Sequence, residues 1–215
     1  MQEIEKTFFR TRAASLLKEL KKKSFDPYFF ETRAEATKFI LDQIKPGETV
    51  GIGGSATLRN DMGIVEEIRK KGNVVYDHWE ANDDPPRRIE LKRRHRSVDL
   101  FLSSANAMAD DGTLVNIDGG GNRVASLCSG PKRVIVTVGA NKLTDSLDAA
   151  IDRTRNRAAV LRAMVGKAKT PCVATGVCSD CDTPARMCGA LLILMQKPRD
   201  IDYFAVVLVN EEMGL

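Results

Sequence analysis

From residue 48 onward, apolar positions come in short β-branched runs separated by longer amphipathic stretches. ETVGIG (48–53), NVVYD (73–77), VDLFLSS (98–104) and VIVTVG (134–139) predict buried strands. Helices are expected between them: SATLRNDMGIVEEIRKKG, which Gly72 ends, a basic segment after Pro85-Pro86, and a long stretch from about Thr144 to Met164. ALLILM (190–195) and YFAVVLV (203–209), joined by QKPRDID, add two strands and make the end of the chain β-rich rather than strictly alternating. The insertion NAMADDGTLVNIDGGGNRVASLCSGPKR is too polar for a simple crossover, and its Asp111-Gly112 pair is a hairpin signal. The class is α/β, with a mostly parallel sheet carrying antiparallel additions.

Residues 1–45 read as helical. Ile4, Phe8, Leu16, Leu17 and Leu20 approximate one apolar face; Ala34, Ala36, Phe39, Ile40 and Ile44 form a second before Pro46-Gly47. SFDPYFF (24–30) is taken as the break between them. The expected organisation is an N-terminal helical extension, 1–45, followed by one domain, 46–215.

With 215 residues, 43% of them hydrophobic, the chain can bury a sizeable core. No apolar run approaches the ~20 residues of a membrane-spanning helix. Glu3, Glu5 and Glu19, and the lack of a continuous apolar run near the start, argue against a signal or transit peptide, so a cytoplasmic setting is expected. The net charge of +4 builds in no long-range attraction to nucleic acid. RRIELKRRHR (87–96) is locally basic but lacks interleaved aromatics for base stacking; Ile89 and Leu91 suit a helix docked on the protein with a solvated basic face.

Two glycine loops carry the candidate chemistry. GIGGSAT (51–57) joins a strand to a helix, where Gly53 and Gly54 allow close backbone approach and Ser55 and Thr57 add hydroxyls, a cradle for phosphate or carboxylate. The same residues parse as G-x-G-x-x-A, and Asp77 ends the second strand where a dinucleotide fold places its ribose carboxylate, so an NAD-dependent oxidoreductase is an alternative. No lysine follows the glycines, which excludes a Walker-type loop. NIDGGGNRVASL (116–127) sets three glycines between Asp118 and the pair Asn122 and Arg123, and Arg123 has the fork to hold a carboxylate or phosphate. The two histidines, His78 and His95, form no Ser/His/Asp arrangement at recognisable spacing. Asp110, Asp111 and Asp118 are the nearby carboxylates.

Four of the five cysteines crowd into TPCVATGVCSDCDTPARMC as Cys172-x5-Cys178-x2-Cys181-x6-Cys188, with Cys128 apart. An odd count without a secretory signal suggests reduced thiols or metal ligands rather than disulfides. The C-x-x-C element can place two thiolates on one ion and its neighbours can complete a four-sulfur set, holding zinc or an iron–sulfur cluster. A loop of reduced thiols and a redox pair are the other readings.

GIGGSATLR, DLFLSSANAMADDGTLVNIDGGGNRVASL, GPKRVIVTVGANKL and the cysteine stretch together resemble the LUD, or lactate-utilization, domain family, from about Pro46 to the C-terminus. The resemblance implies the sugar-isomerase and CoA-transferase-like superfamily: a Rossmann-like sheet with an antiparallel insertion, and phosphosugars, CoA esters or folates bound at the sheet's carboxyl edge. Some members act with iron–sulfur proteins in oxidising L-lactate to pyruvate. By similarity, Gly53, Gly54, Ser55 and Thr57 match the anion loop, and Asn106, Asp118, Gly120, Asn122 and Arg123 match the signature segment. The expectation is a subunit or accessory component of lactate oxidation that binds a small anion, with neither nucleic acid nor membrane as partner. A non-catalytic scaffold that docks a partner through the cysteine loop and basic helix is the remaining reading.

Overall fold

A computed structural model describes residues 1–215. In chain order the elements are α1 (Glu3–Lys22), β1 (Asp26–Phe30), α2 (Arg33–Asp42), β2 (Thr49–Ile52), α3 (Ile64–Lys70), β3 (Val74–Asp77), α4 (Pro85–Arg94) and β4 (Leu100–Ser104). They continue with β5 (Ala107–Met108), β6 (Leu114–Asp118), α5 (Asn122–Cys128), β7 (Arg133–Gly139), α6 (Leu147–Arg153), α7 (Ala159–Val165), α8 (Pro171–Thr175), β8 (Ala190–Leu194) and β9 (Tyr203–Val209).

Six strands form one all-parallel sheet in the order β1-β9-β7-β4-β2-β3, and β5-β6-β8 form a small antiparallel sheet. The continuous apolar runs follow from burial on both faces of the parallel sheet. Along β9, Phe204, Val206 and Leu208 enter one core while Ala205, Val207 and Val209 enter the other; β7 splits Val134, Val136 and Val138 from Ile135 in the same way. The first core is closed by α1, α5 and the small sheet through Leu16, Leu20, Leu127 and Leu114. The second is closed by α2 and α3 through Ile40, Ile64 and Ile68. The Asp111-Gly112 hairpin forms as expected, joining β5 to β6, with Gly112 at φ +83°.

The chain departs from the sequence reading in several places. Residues 26–30 are a strand, not a break: β1 pairs in parallel with β9, so residues 1–45 share sheet and core with the rest. Pro27 is tolerated because β1 is an edge strand, where a missing N–H interrupts no ladder on the open side. The buried stripe of α1 is Phe9, Ala13, Leu16 and Leu20, leaving Ile4 and Phe8 exposed, and on α4 Leu91 is buried while Ile89 is not. The helix expected after the first glycine loop is divided, with a single π turn at Thr57–Asp61, Gly63 at φ +59°, and only then α3. A second π turn, Thr154–Ala158, joins α6 to α7 inside the predicted long helix, which Ser146 caps by accepting the Ala149 N–H at 3.1 Å.

If α1 is integral, Leu20→Ala will lower unfolding stability by about 2–5 kcal/mol, as for other fully buried leucines, because Leu20 is wholly buried against the first core. Urea unfolding with a global probe measures it. A loss below about 0.5 kcal/mol, the size of a typical surface change, would return α1 to the status of an appendage.

Candidate functional site

The chain leaves β2, β3, β4 and β7 at one edge of the parallel sheet, and the segments that follow them line a cavity of about 260 Å³. Gly54–Thr57 follow β2, His78 and Trp79 follow β3, Ser104 ends β4 with Asn106 just beyond, and Lys142 follows β7. Open α/β sheets place ligands outside the carboxyl ends of their strands, where outgoing connections diverge. That divergence falls between the neighbouring strands β2, whose chain runs on to β3, and β4, whose chain runs on toward β7 on the opposite side. There the Ser55 and Ser104 hydroxyls meet at 2.8 Å.

Most of the sequence-predicted residues line this cavity: Gly54, Ser55, Thr57, Asn106, Asp118, Gly120, Asn122 and Arg123. Gly53 does not. Its N–H donates to Leu102 O at 2.9 Å, extending the sheet by one step, and a side chain there would press on the Ser103 hydroxyl at 3.0 Å. Gly54 has no protein partner for its N–H and is not in the left-handed region. Arg59, in the first π turn, holds the loop's shape by donating to Gly53 O and Ser55 O, both at 3.1 Å.

The signature residues brace one another. Arg123 is buried; its Nε donates to Asp118 Oδ1 at 2.9 Å and its Nη2 to Asn106 Oδ1 at 2.8 Å and Ile117 O at 2.7 Å. Asp118 Oδ2 accepts the backbone N–H groups of Arg123 and Val124 at 2.9 and 3.1 Å, opening α5. The arginine fork is therefore directed at the protein rather than at the open space.

Free positive charge comes from residues that the sequence did not single out. Arg88 and Lys92, on the helix read as a solvated basic face, and Arg162 on α7 line the cavity, as does Lys142. Lys142 is 3% exposed, and its only hydrogen bond is donated to Thr57 Oγ1 at 3.2 Å. Burial, reinforced by Arg153 and Arg123, pulls its pKa down to about 7. Burial also lowers Lys92 and Arg162, each with Arg88 as a further cause. Trp79 carries guanidinium groups over its ring from Arg59, at 4.2 Å to the centroid, and Arg162, at 5.0 Å.

The two histidines pack edge to face, ring centroids 5.4 Å apart. Burial drives His78 down to about 3, with His95 and Lys92 adding to it, and His95 down to about 4. Both are neutral at physiological pH. Asp77 is buried; it pairs with Arg59 through both oxygens and accepts the Trp79 N–H at 2.9 Å. Its oxygens are engaged within the protein, which removes the ribose contact that the dinucleotide alternative requires.

All four loop cysteines line one small cavity beside the first, and Cys128 lies elsewhere, exposed. No group of three or more His, Cys, Asp or Glu side chains stands where it could hold a metal ion. Cys188, Met187 and Ile117 border both cavities. The second glycine loop touches this segment directly: a side chain on Gly119 would meet Met187 O at 2.6 Å.

Sheet order, edge cavity and antiparallel insertion define an α/β protein with a cavity at the carboxyl edge of its strands. The chain belongs to the LUD domain family, whose model matches residues 13–209. Among solved structures it is similar to a DUF162 family protein from Deinococcus radiodurans, with 11% identity, 95% of this chain and 98% of that chain covered, and a TM-score of 0.48. It is also similar to ribose 5-phosphate isomerase A from Methanocaldococcus jannaschii, with 17% identity, 54% and 55% covered, and a TM-score of 0.36. No curated protein matches the chain.

The histidine pair sets a pH prediction. Both folded values lie below the unfolded value of about 6.5, so their contribution is complete above pH 6.5 and is lost as pH falls toward about 4 and about 3. Each histidine steepens the loss by up to about 1.4 kcal/mol per pH unit. Urea midpoints between pH 7 and pH 4.5 should fall, and His78→Gln should flatten part of that fall. An unchanged slope in the variant would contradict the assignment.

Proposed function

We propose that the chain binds a small anionic ligand, a phosphate, a CoA ester or an organic acid, in the edge cavity, and serves as a subunit or accessory component of L-lactate oxidation to pyruvate. The imbalance of charge carries the first part. Arg88, Lys92, Arg123, Lys142 and Arg162 line the cavity against one carboxylate, Asp118, which Arg123 already neutralises. Lys142 and Arg123 are buried, which weakens solvent screening of their charges toward an incoming anion. The N–H of Gly54 adds a donor on the β2 side. Family membership supports the lactate role, with iron–sulfur proteins as partners in a cytoplasmic setting.

Lys142 supplies the most responsive element of this cavity. Near neutral pH its amine is divided between charged and neutral forms, and an anion binds the charged form better, so affinity is greatest below pH 7 and declines above it.

Calorimetric titration with sulfate, whose charge is constant over this range, should show that decline, and Lys142→Met should lower affinity about tenfold or more, the equivalent of one charge-assisted hydrogen bond, and flatten the pH profile. Gly54→Asp places a carboxylate facing His78 and Trp79, with neighbouring atoms no nearer than 3.6 Å to its Cβ, so it should fold and lose binding. Parallel titrations with phosphate, coenzyme A, lactate and pyruvate rank the ligand class. Undiminished affinity in folded Gly54→Asp would overturn the proposed cavity, and the absence of all binding would leave the scaffold reading.

A further inference from the structure

We infer that Cys172, Cys178, Cys181 and Cys188 ligate an iron–sulfur cluster rather than a single metal ion, and that this cluster borders the edge cavity. Four thiols drawn from 17 residues of chain converge on one cavity while the fifth, Cys128, is left outside. A zinc ion holds its thiolates at about 2.3 Å in one tight tetrahedron, and no set of side chains stands where it could hold such an ion. A cluster places several iron and sulfide atoms between its ligands, so its cysteines ring a larger space.

The surroundings are built for thiolates. Thr170 Oγ1 lies 3.2 Å from Cys172 Sγ, and Arg155 Nη2 points at Cys178 Sγ from 4.0 Å. Donors of this kind stabilise sulfur ligands and tune a cluster. Arg186 stitches the ends of the loop together, donating to Cys181 O at 3.0 Å and Cys188 O at 2.8 Å while pairing with Asp180 at 2.8 Å. Asn156 accepts the Cys178 N–H at 3.1 Å. Asn156 and Arg155 both come from the second π turn, and π turns recur at functional sites. Between Val177 and Gly189 the chain has neither helix nor strand, so the loop is held by these polar contacts and by what the thiols bind.

The inference is independent of the anion reading, and its test involves no ligand. The full-length protein, purified anaerobically and supplied with ferric iron, sulfide and a thiol that reduces part of the iron, should retain iron and acid-labile sulfide in equal amounts after desalting, with a broad visible absorbance that dithionite bleaches. Cys181→Ser and Cys172→Ser should lose iron and sulfide together while keeping the wild-type far-ultraviolet circular dichroism, and Cys128→Ser should retain both. Where a serine variant fails to fold, Mössbauer spectra of the iron-57 wild type decide between sulfur-ligated cluster iron and adventitious iron. Stoichiometric zinc in place of iron, five freely titrating thiols after reconstitution, or equal iron retention in Cys181→Ser would each overturn the inference.

Discussion

The pair of Arg123 and Asp118 fixes the geometry on which the cavity depends. Arg123 reaches back to Asn106, beyond β4, and to the Ile117 carbonyl on β6, while Asp118 caps the start of α5. Main sheet, small sheet and helix are thereby tied at one point. Replacing a buried ion pair by apolar groups can be neutral, but removing one partner strands the other charge, which commonly costs about 3–5 kcal/mol. The most distinctive segment of the sequence thus frames the site, and the charge available to a ligand comes from α4, α7 and the turn after β7.

That division of labour follows from the sheet. Its central strands are buried on both faces, so their side chains are spent on the two cores and only the edge is open to a ligand. The loops at that edge need rigid internal support because neither core backs them. Arg59 supplies it on one side, joining Asp77 to the carbonyls of Gly53 and Ser55, and Arg123 supplies it on the other. Both arginines spend most of their donors within the protein. Arg88, Lys92, Lys142 and Arg162 do not, and so set the field inside the cavity.

Much of this was legible in the sequence, for reasons that can be named. Parallel strands buried on both faces read as unbroken β-branched runs, so β2, β4, β7 and β9 were recognisable, and Asp111-Gly112 announced its own turn. β1 was hidden because Asp26-Pro27 is a poor strand start except at an edge, and being an edge is a tertiary fact. The stripe of α1 was misassigned because Phe8 and Phe9 are adjacent and either can begin an i, i+4 series; packing selects Phe9. The π turns have no distinct periodicity. Lys142 and Arg162 are ordinary residues in the sequence, and only burial beside a cavity distinguishes them.

The three glycines of the second loop serve different ends, and together they join the two cavities. Gly121 takes φ +73° at the entry to α5, a conformation that favours glycine. Gly120 lies in the edge cavity opposite Lys92. Gly119 has no room for a side chain because the Met187 carbonyl occupies that space, and beside it the Gly189 N–H donates to Asp118 O at 2.8 Å. The C-terminal end of the cysteine loop is therefore fastened to the residue that caps α5 and neutralises Arg123. Any change that reorders residues 187–189 acts on Gly119 and Asp118 first, and both line the edge cavity. The cysteine segment and the signature segment, at least 43 residues apart in the chain, thus meet at Gly119 and Asp118, where the wall of one cavity is built against the wall of the other.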